Sequence, residues 1–387
     1  MTAPEVRLSE MRVGLDARTI RVGMHGVGTY VYRLVEYLTQ QQVHCVLFVD
    51  PNVELPQFSR PDTLTIQAVH STNHVGVARY LDERLMLPGL MKKHRLSLYH
   101  ATDSHGLPFH SPVPTVLTVH DVIPLMLDEY LNRWTKLVYR ASLVQSIQSA
   151  NRVITISQFS KHEIVRHTAV DPKKIAVIYN GYTAVPGTYT AEWQAFQRTH
   201  GIQGPVVAYV GGLGPRKNIE RLLKAFSIVR ARHPELSLIL TGRKKETIQK
   251  SIQTYVRLIA ALHLEKSVVF TDYLEEASLN ALRTHAQLAV YPSLSEGFGL
   301  PVIEAMALGV PIVASNVSAI PEVAGDAAVL VSPLSEKDIA TGMLQVLEDA
   351  PLRDQLIAKG KARAKDFSWE AMGSSTLDVY RQVLGAA

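Results

Sequence analysis

Residues 291–315 read YPSLSEGFGLPVIEAMALGVPIVAS. One apolar run, Leu288 to Tyr291, leads into this stretch, and a second, Pro311 to Ala314, closes it. Short apolar runs bounded by turn residues read as buried strands. Between them, Val302 to Leu308 reads as a short helix. Pro301 suits its first position, where the missing N–H would be unpaired in any case, and Gly309 suits its left-handed end. The order is strand, glycine-rich loop, helix, strand. Glu296 falls in the loop at the carboxyl end of a strand, and Glu304 in the first turn of the helix. That edge of an open α/β sheet is where ligands bind. Gly297 and Gly299 let backbone approach a ligand closely, and the helix N-terminus favours an anion. Alone, each glutamate reads as an ordinary exposed residue. Together they suit two sets of hydroxyls on one elongated ligand, such as a sugar joined through a diphosphate to a ribose.

The string resembles the signature of retaining nucleotide-sugar glycosyltransferases of family four. Their pattern runs approximately P-S-x-x-E-G-F-G-L-P-x-x-E-A-M-A-x-G-x-P-V-V-A-S. The chain matches it at nearly every fixed position, with Ile312 in place of one valine. A looser likeness runs from about residue 12 to residue 382.

Composition agrees with a globular protein. The chain has 387 residues, enough for two domains, and is 47 % hydrophobic. Its one cysteine, Cys45, lies in the apolar run VHCVLFV and reads as a core residue. With no disulfide available and a polar start, MTAPEVRLSEM, a cytoplasmic location is expected. No apolar run reaches the roughly 18 residues that span a membrane. The net charge of +5 suits a phosphorylated substrate, an anionic membrane or nucleic acid. Aromatics are not interleaved with the basic residues as in a single-strand binder, so no nucleic-acid partner is expected.

In the first half, Met11 to Ala17, Val43 to Val49, Leu64 to Val69, Leu98 to Ala101, Thr115 to Val119, Val153 to Ser157 and Ile175 to Tyr179 read as strands. Gly23, Gly26 and Gly28 form a loop before an amphipathic helix, Tyr30 to Leu38. Their spacing does not meet the dinucleotide fingerprint. Ala78 to His94 reads as a helix carrying Arg79, Arg84, Lys92 and Lys93, with Arg95 following, beside a leucine and methionine stripe. It is either a surface helix with a core-facing stripe or a basic patch touching an anionic membrane. Tyr130 to Ala150 reads as a long helix. His120 and Asp121 follow a strand end, within TVLTVHDVIPL.

TAVPGTYTAEWQ reads as an interdomain linker. Beyond it, Val206 to Val210 is a strand, followed by a loop with Gly211, Gly212 and Gly214, and by a helix from Asn218 to Arg232. Arg216 and Lys217 stand at the N-terminus of that helix, where two cations oppose the helix dipole unless an anion lies between them. Leu236 to Leu240 and Ser267 to Phe270 are strands, and Ser368 caps a final helix, Trp369 to Leu384.

The resemblance implies an α/β protein of GT-B fold: two doubly wound Rossmann-like domains facing a cleft, with the C-terminal helix crossing back to the first. The boundaries expected are 1–185 for the acceptor domain, 186–204 for the linker, 205–367 for the nucleotide-sugar domain and 368–387 for the terminal helix. It also implies a hexosyltransferase in which Arg216 and Lys217 grip the donor diphosphate without a metal or other cofactor. Glu296 would orient the sugar, helped by the backbone of Gly297, Phe298, Gly299 and Leu300, and Glu304 would bind the ribose. Gly212 and Gly28 would lie along the donor, Tyr273 and Leu274 against the base, and His120 against the sugar. GDP-mannose is the expected donor from the VHDVIPL string, with a UDP-sugar as alternative, and a glycan or lipid-linked glycan is the acceptor. A catalytically silent nucleotide-sugar-binding protein is the alternative of another class.

Overall fold

The computed structural model describes residues 7–24, 26–69, 77–104, 107–126, 133–183, 187–242 and 249–385, with backbone alone over 77–83. The chain forms two compact units, Met1–Gly181 with Ser368–Ala387, and Tyr182–Phe367. Each is built on a parallel sheet. The strands of the first are β1 (Arg12–Asp16), β2 (His44–Val49), β3 (Leu64–Ala68), β4 (Leu98–Ala101), β5 (Thr115–Thr118), β6 (Arg152–Thr155) and β7 (Ile175–Val177), in the order β3-β2-β1-β4-β5-β6-β7. Those of the second are β8 (Val206–Val210), β9 (Ser237–Thr241), β10 (Val268–Asp272), β11 (Leu288–Tyr291), β12 (Ile312–Ser315) and β13 (Val329–Val331), in the order β10-β9-β8-β11-β12-β13. Strands flanked by helices on both faces are apolar throughout rather than alternating. All five residues of β8 and all four of β11 are buried.

The terminal helix, Trp369–Gly385, packs against the Val27–Gln40 helix of the first unit. A β-carbon on Gly373 would lie 2.2 Å from Tyr37 Cγ, so glycine lets the two helices close together. At the far end Tyr380 is fully buried and shares a 2.7 Å hydrogen bond with His100 Nδ1, whose Nε2 meets Thr118 Oγ1 at 2.7 Å. Burial holds His100 down to about 3, so it is neutral here. Ser368 caps the helix by accepting the Ala371 N–H at 3.0 Å.

Several expectations need correction. Residues 186–204 are not a bare linker: they contain a helix, Thr190–His200, that packs on the Glu276–His285 helix. Trp193 stacks on His285 at 5.1 Å, and aromatic burial outweighs the Pro, Gly and Thr signal around it. Gly28 belongs to the helix rather than the loop, because Val27 already starts it. Arg84 does not face solvent. It is 2 % exposed, donates to Ser146 Oγ at 2.7 Å and to Gln145 Oε1, and lies 5.0 Å from the Phe109 ring centroid. The side chains of Arg79 and Leu81, and the expected helix start at Tyr130, lie outside the described residues. No helix among the described residues is long and apolar enough to cross a membrane.

A β-carbon at Gly181 would sit 2.2 Å from the Trp369 backbone nitrogen, whereas one at Gly212 would meet nothing within 4 Å. Gly181→Ala is expected to destabilise the fold by about 1–3 kcal/mol, and Gly212→Ala by far less. Thermal unfolding of the two variants checks this, and equal melting temperatures would contradict it.

Candidate active site

The six-stranded sheet changes direction between β8 and β11, so the loops leaving these neighbouring strands open side by side at its carboxyl edge. The β8 loop ends in a tight turn, Pro215–Lys217. Asn218 follows in the left-handed conformation, φ 62°, which asparagine tolerates. Its Nδ2 donates to the carbonyls of Pro292, at 2.9 Å, and Pro333, at 2.7 Å. The Arg216 carbonyl accepts the Leu294 N–H at 2.8 Å. These bonds lace the two loops together and fix where the turn's cations stand.

Arg216 Nη1 donates to Glu296 Oε2 at 2.6 Å and to the Ser295 carbonyl at 2.8 Å, and Lys217 Nζ donates to Glu296 Oε1. One carboxylate thus bridges two cations on one turn. The three side chains are 24, 14 and 13 % exposed. Burial pushes the Glu296 carboxyl up, but Lys217 and Arg216 outweigh it and hold the group at about 2, from an ordinary 4.5. Its backbone N–H donates to Ser318 Oγ at 3.0 Å. The cations precede the helix, which is Ile219–Arg232. The anion that their position demands is supplied by the chain itself.

Glu304 stands apart from this cluster. The helix is Leu300–Ala307, because Gly299, at φ 118°, takes the cap. Glu304 is therefore its fifth residue, in the second turn rather than the first, and the helix dipole does not account for it. Arg283 does: its Nη2 donates to Glu304 Oε2. Tyr209 and Tyr291 connect the two carboxylates. Their ring centroids are 6.2 Å apart, and Tyr209 donates its hydroxyl to the Gly212 carbonyl at 2.6 Å. Burial and then Glu296 raise the Tyr209 phenol, while Glu304 is among the groups acting on Tyr291.

The other expected residues are spread over both units. The Phe298 ring is buried against Phe367, centroids 5.8 Å apart, so it presents its backbone rather than its side chain to the loop. Tyr273 and Leu274 follow β10, with Tyr273 exposed and its N–H donating to Asp272 Oδ1 at 2.9 Å. Gly28 and His120 belong to the first unit. A β-carbon at Gly28 would lie 2.6 Å from the Thr19 carbonyl, so packing already requires glycine there. His120 follows β5 and is 9 % exposed. Its Nε2 lies 3.0 Å from the Thr102 carbonyl, which can only accept, so Nε2 carries the proton. Burial lowers the imidazole against the opposing effects of Asp103, the Thr102 carbonyl and Asp121. The neutral ring is left with Nδ1 as an acceptor, the group needed to meet a hydroxyl.

Sequence reading missed Arg283, Tyr209, Asn218 and Ser318. Asn218 was within reach, since an asparagine after a turn and before a helix is a known left-handed position. Arg283 carried no signal: it reads as one basic residue in the last turn of an ordinary helix.

A family model described as glycosyl transferases group 1 matches residues 194–363, and one described as glycosyltransferase family 4 matches residues 24–184. The chain is 29 % identical to O-antigen chain mannosyltransferase B of Escherichia coli, covering 96 % of this chain and 100 % of that one. Among solved structures, sucrose-phosphate synthase of Thermosynechococcus elongatus superposes with a TM-score of 0.81 at 21 % identity, over 98 % of this chain and 100 % of the other. Anabaena Alr3699/HepE in complex with UDP and glucose gives 0.77 at 17 % identity, over 96 % and 100 %.

Because Glu296 is held below its ordinary value, its contribution to stability is complete above about pH 4.5 and is lost as pH falls toward 2. Denaturant unfolding of wild type and Glu296→Gln should differ by a constant amount from pH 6 to 8 and converge as pH drops through that window. A difference that grows on acidification would contradict the assignment.

Proposed function

Because this chain belongs to the group 1 and family 4 glycosyltransferases, we propose that it moves mannose from GDP-mannose to a hydroxyl of a glycan or lipid-linked glycan, with retention of anomeric configuration. The observation that carries the reading is Glu296 bridging Arg216 and Lys217 where the sheet changes direction. A donor diphosphate is the ligand whose charge and geometry suit those cations. As it takes them, Glu296 is released to accept hydrogen bonds from the sugar. When the bond from the anomeric carbon to the phosphate oxygen breaks, charge grows on the diphosphate, and the two cations stabilise it. The acceptor oxygen bonds to that carbon on the same face, and its proton passes to the departing phosphate. No metal is assigned to the step. The Glu304 oxygen not bonded to Arg283 is proposed for the ribose, and His120 Nδ1 for a sugar hydroxyl.

Mannose rests on the VHDVIPL string, residues 119–125, and on the likeness to an O-antigen mannosyltransferase. A UDP-sugar is the alternative donor, suggested by the fold neighbour that holds UDP and glucose. An anionic membrane contact by the first unit is proposed on Lys92, Lys93 and Arg95 with exposed Leu85 and Met86, without Arg84.

Donor hydrolysis without acceptor, across a panel of GDP- and UDP-sugars, tests the central reading. One donor should turn over, Lys217→Ala should lower the rate by roughly 10²–10³-fold, and treatment with EDTA should leave it intact. Tight nucleotide binding with no turnover of any donor would favour the silent binding protein instead. Flotation with phosphatidylglycerol vesicles tests the membrane contact: Lys92→Glu with Lys93→Glu should release the protein, and unchanged flotation would remove the contact.

A further inference from the structure

Arg283 ends the Glu276–His285 helix with its side chain only 7 % exposed. A guanidinium withdrawn that far from water needs partners for its N–H groups. Nη2 donates to Glu304 Oε2, while Nε has no partner among the described residues. Tyr291, at the end of β11, is 4 % exposed, and its hydroxyl also has no partner among them. Arg283 and Glu304 both act electrostatically on that hydroxyl, with opposite sign, so the three groups form one neighbourhood. The second Glu304 oxygen, Oε1, is not one of these buried atoms: its side chain is 19 % exposed, and it is left to accept from water or a ligand. Buried polar atoms are almost always paired, and a group of exceptions in one place points to a ligand.

We propose that Arg283 is a specificity-determining residue of the nucleotide site: it clamps one oxygen of Glu304 and, with Tyr291, leaves one carboxylate oxygen and two donors matched to the adjacent hydroxyls of a ribose. The inference rests on the nucleotide-sugar reading of this site and adds to it a residue and a selectivity. Each ribose hydroxyl can donate to the carboxylate and accept from Arg283 Nε–H or the Tyr291 hydroxyl. A deoxyribose leaves one of these buried groups unpaired, which is how polar sites reject a ligand lacking a hydroxyl.

The clamp also controls the charge on Glu304. Burial raises its carboxyl, Arg283 opposes that rise, and Glu276 of the same helix adds to it. The Ile320–Ala324 and Ala350–Ala364 helices also pack on the Glu304 helix. On them Lys359 pairs with Asp326, and Arg363 with Asp366 and the Glu322 and Val323 carbonyls, while Lys361 lies over Gly309, just past the end of the Glu304 helix. Arg353 donates to the Val346 and Leu347 carbonyls, and Glu322 and Asp354 are the carboxylates these helices carry. Without Arg283 the Glu304 carboxyl moves higher and takes up a proton at a pH where wild type keeps it ionised.

Titration calorimetry with GDP, UDP and their 2′-deoxy and 3′-deoxy forms tests this on wild type, Arg283→Gln, Arg283→Lys, Glu304→Gln and the Arg283→Gln/Glu304→Gln pair. Arg283→Gln should weaken ribonucleotide binding about tenfold or more and reduce the preference over deoxy forms to about threefold or less. On acidification its affinity should begin to fall at a higher pH than that of wild type. The pair should bind no more weakly than Glu304→Gln alone, and in Arg283→Gln the rise in donor KM should exceed any fall in kcat. Arg283→Lys should restore part of the affinity, and it keeps the test alive should the glutamine variant not fold. Wild-type affinity, selectivity and pH profile in a less stable Arg283 variant would overturn the proposal alone. A wild type that binds no nucleoside diphosphate would overturn it together with the reading beneath it.

Discussion

Two cations on one turn, Arg216 and Lys217, are held beside the edge of a parallel sheet with little access to water, and one carboxylate, Glu296, answers both. Charges placed so need a counter-charge, because neither can be left alone in a partly dry site. Everything local is arranged to make the bridge form. Asn218 ties the turn to the β11 and β13 loops, the Arg216 carbonyl holds Leu294, and Ser318 fixes the Glu296 backbone. Desolvation offsets part of the attraction, but the two cations outweigh it, and the bridge adds stability above about pH 4.5. Its value lies in placement: two cations preset for a diphosphate, and a carboxylate that becomes available when the diphosphate arrives.

The second carboxylate is managed differently. Glu304 has one cation rather than two, and its charge is set by a contest between burial and Arg283. Tyr209 and Tyr291, their rings tilted at 50° with centroids 6.2 Å apart, each feel the charge of one of these carboxylates. The two ends of an elongated donor would therefore be read by groups of different electrostatic character, one carboxyl held below its ordinary value and one raised above it. That division follows from where the loops leave β8 and β11, adjacent strands on which the sheet reverses.

Much of this was legible from the residues. Apolar runs ending in Gly and Pro marked β8, β11 and β12, since fully buried parallel strands must be apolar on both faces. The need for an anion near Arg216 and Lys217 was readable from the helix dipole, although the anion turned out to be the chain's own Glu296. Contacts between segments distant in sequence were not readable. Glu304 falls just past the first turn because the helix, capped by Gly299, opens at Leu300 rather than at Pro301. Arg84 sat in a basic string that looked exposed, yet a partner helix more than 60 positions away buries it through Gln145 and Ser146. The stretch around Trp193 looked like linker because composition says nothing of His285, on which the indole stacks.

The claim on which the account stands is that Glu296 occupies the cations until a diphosphate displaces it. The direct measurement is GDP affinity, by titration calorimetry, of wild type against Glu296→Gln, paired with turnover of the preferred donor. The account predicts that the variant binds GDP more tightly, by about three- to tenfold for the loss of one competing charge at a partly buried site, while turnover falls by about 100-fold or more. A variant whose GDP affinity falls in step with its turnover would contradict it, and would make Glu296 a part of the diphosphate site rather than its stand-in.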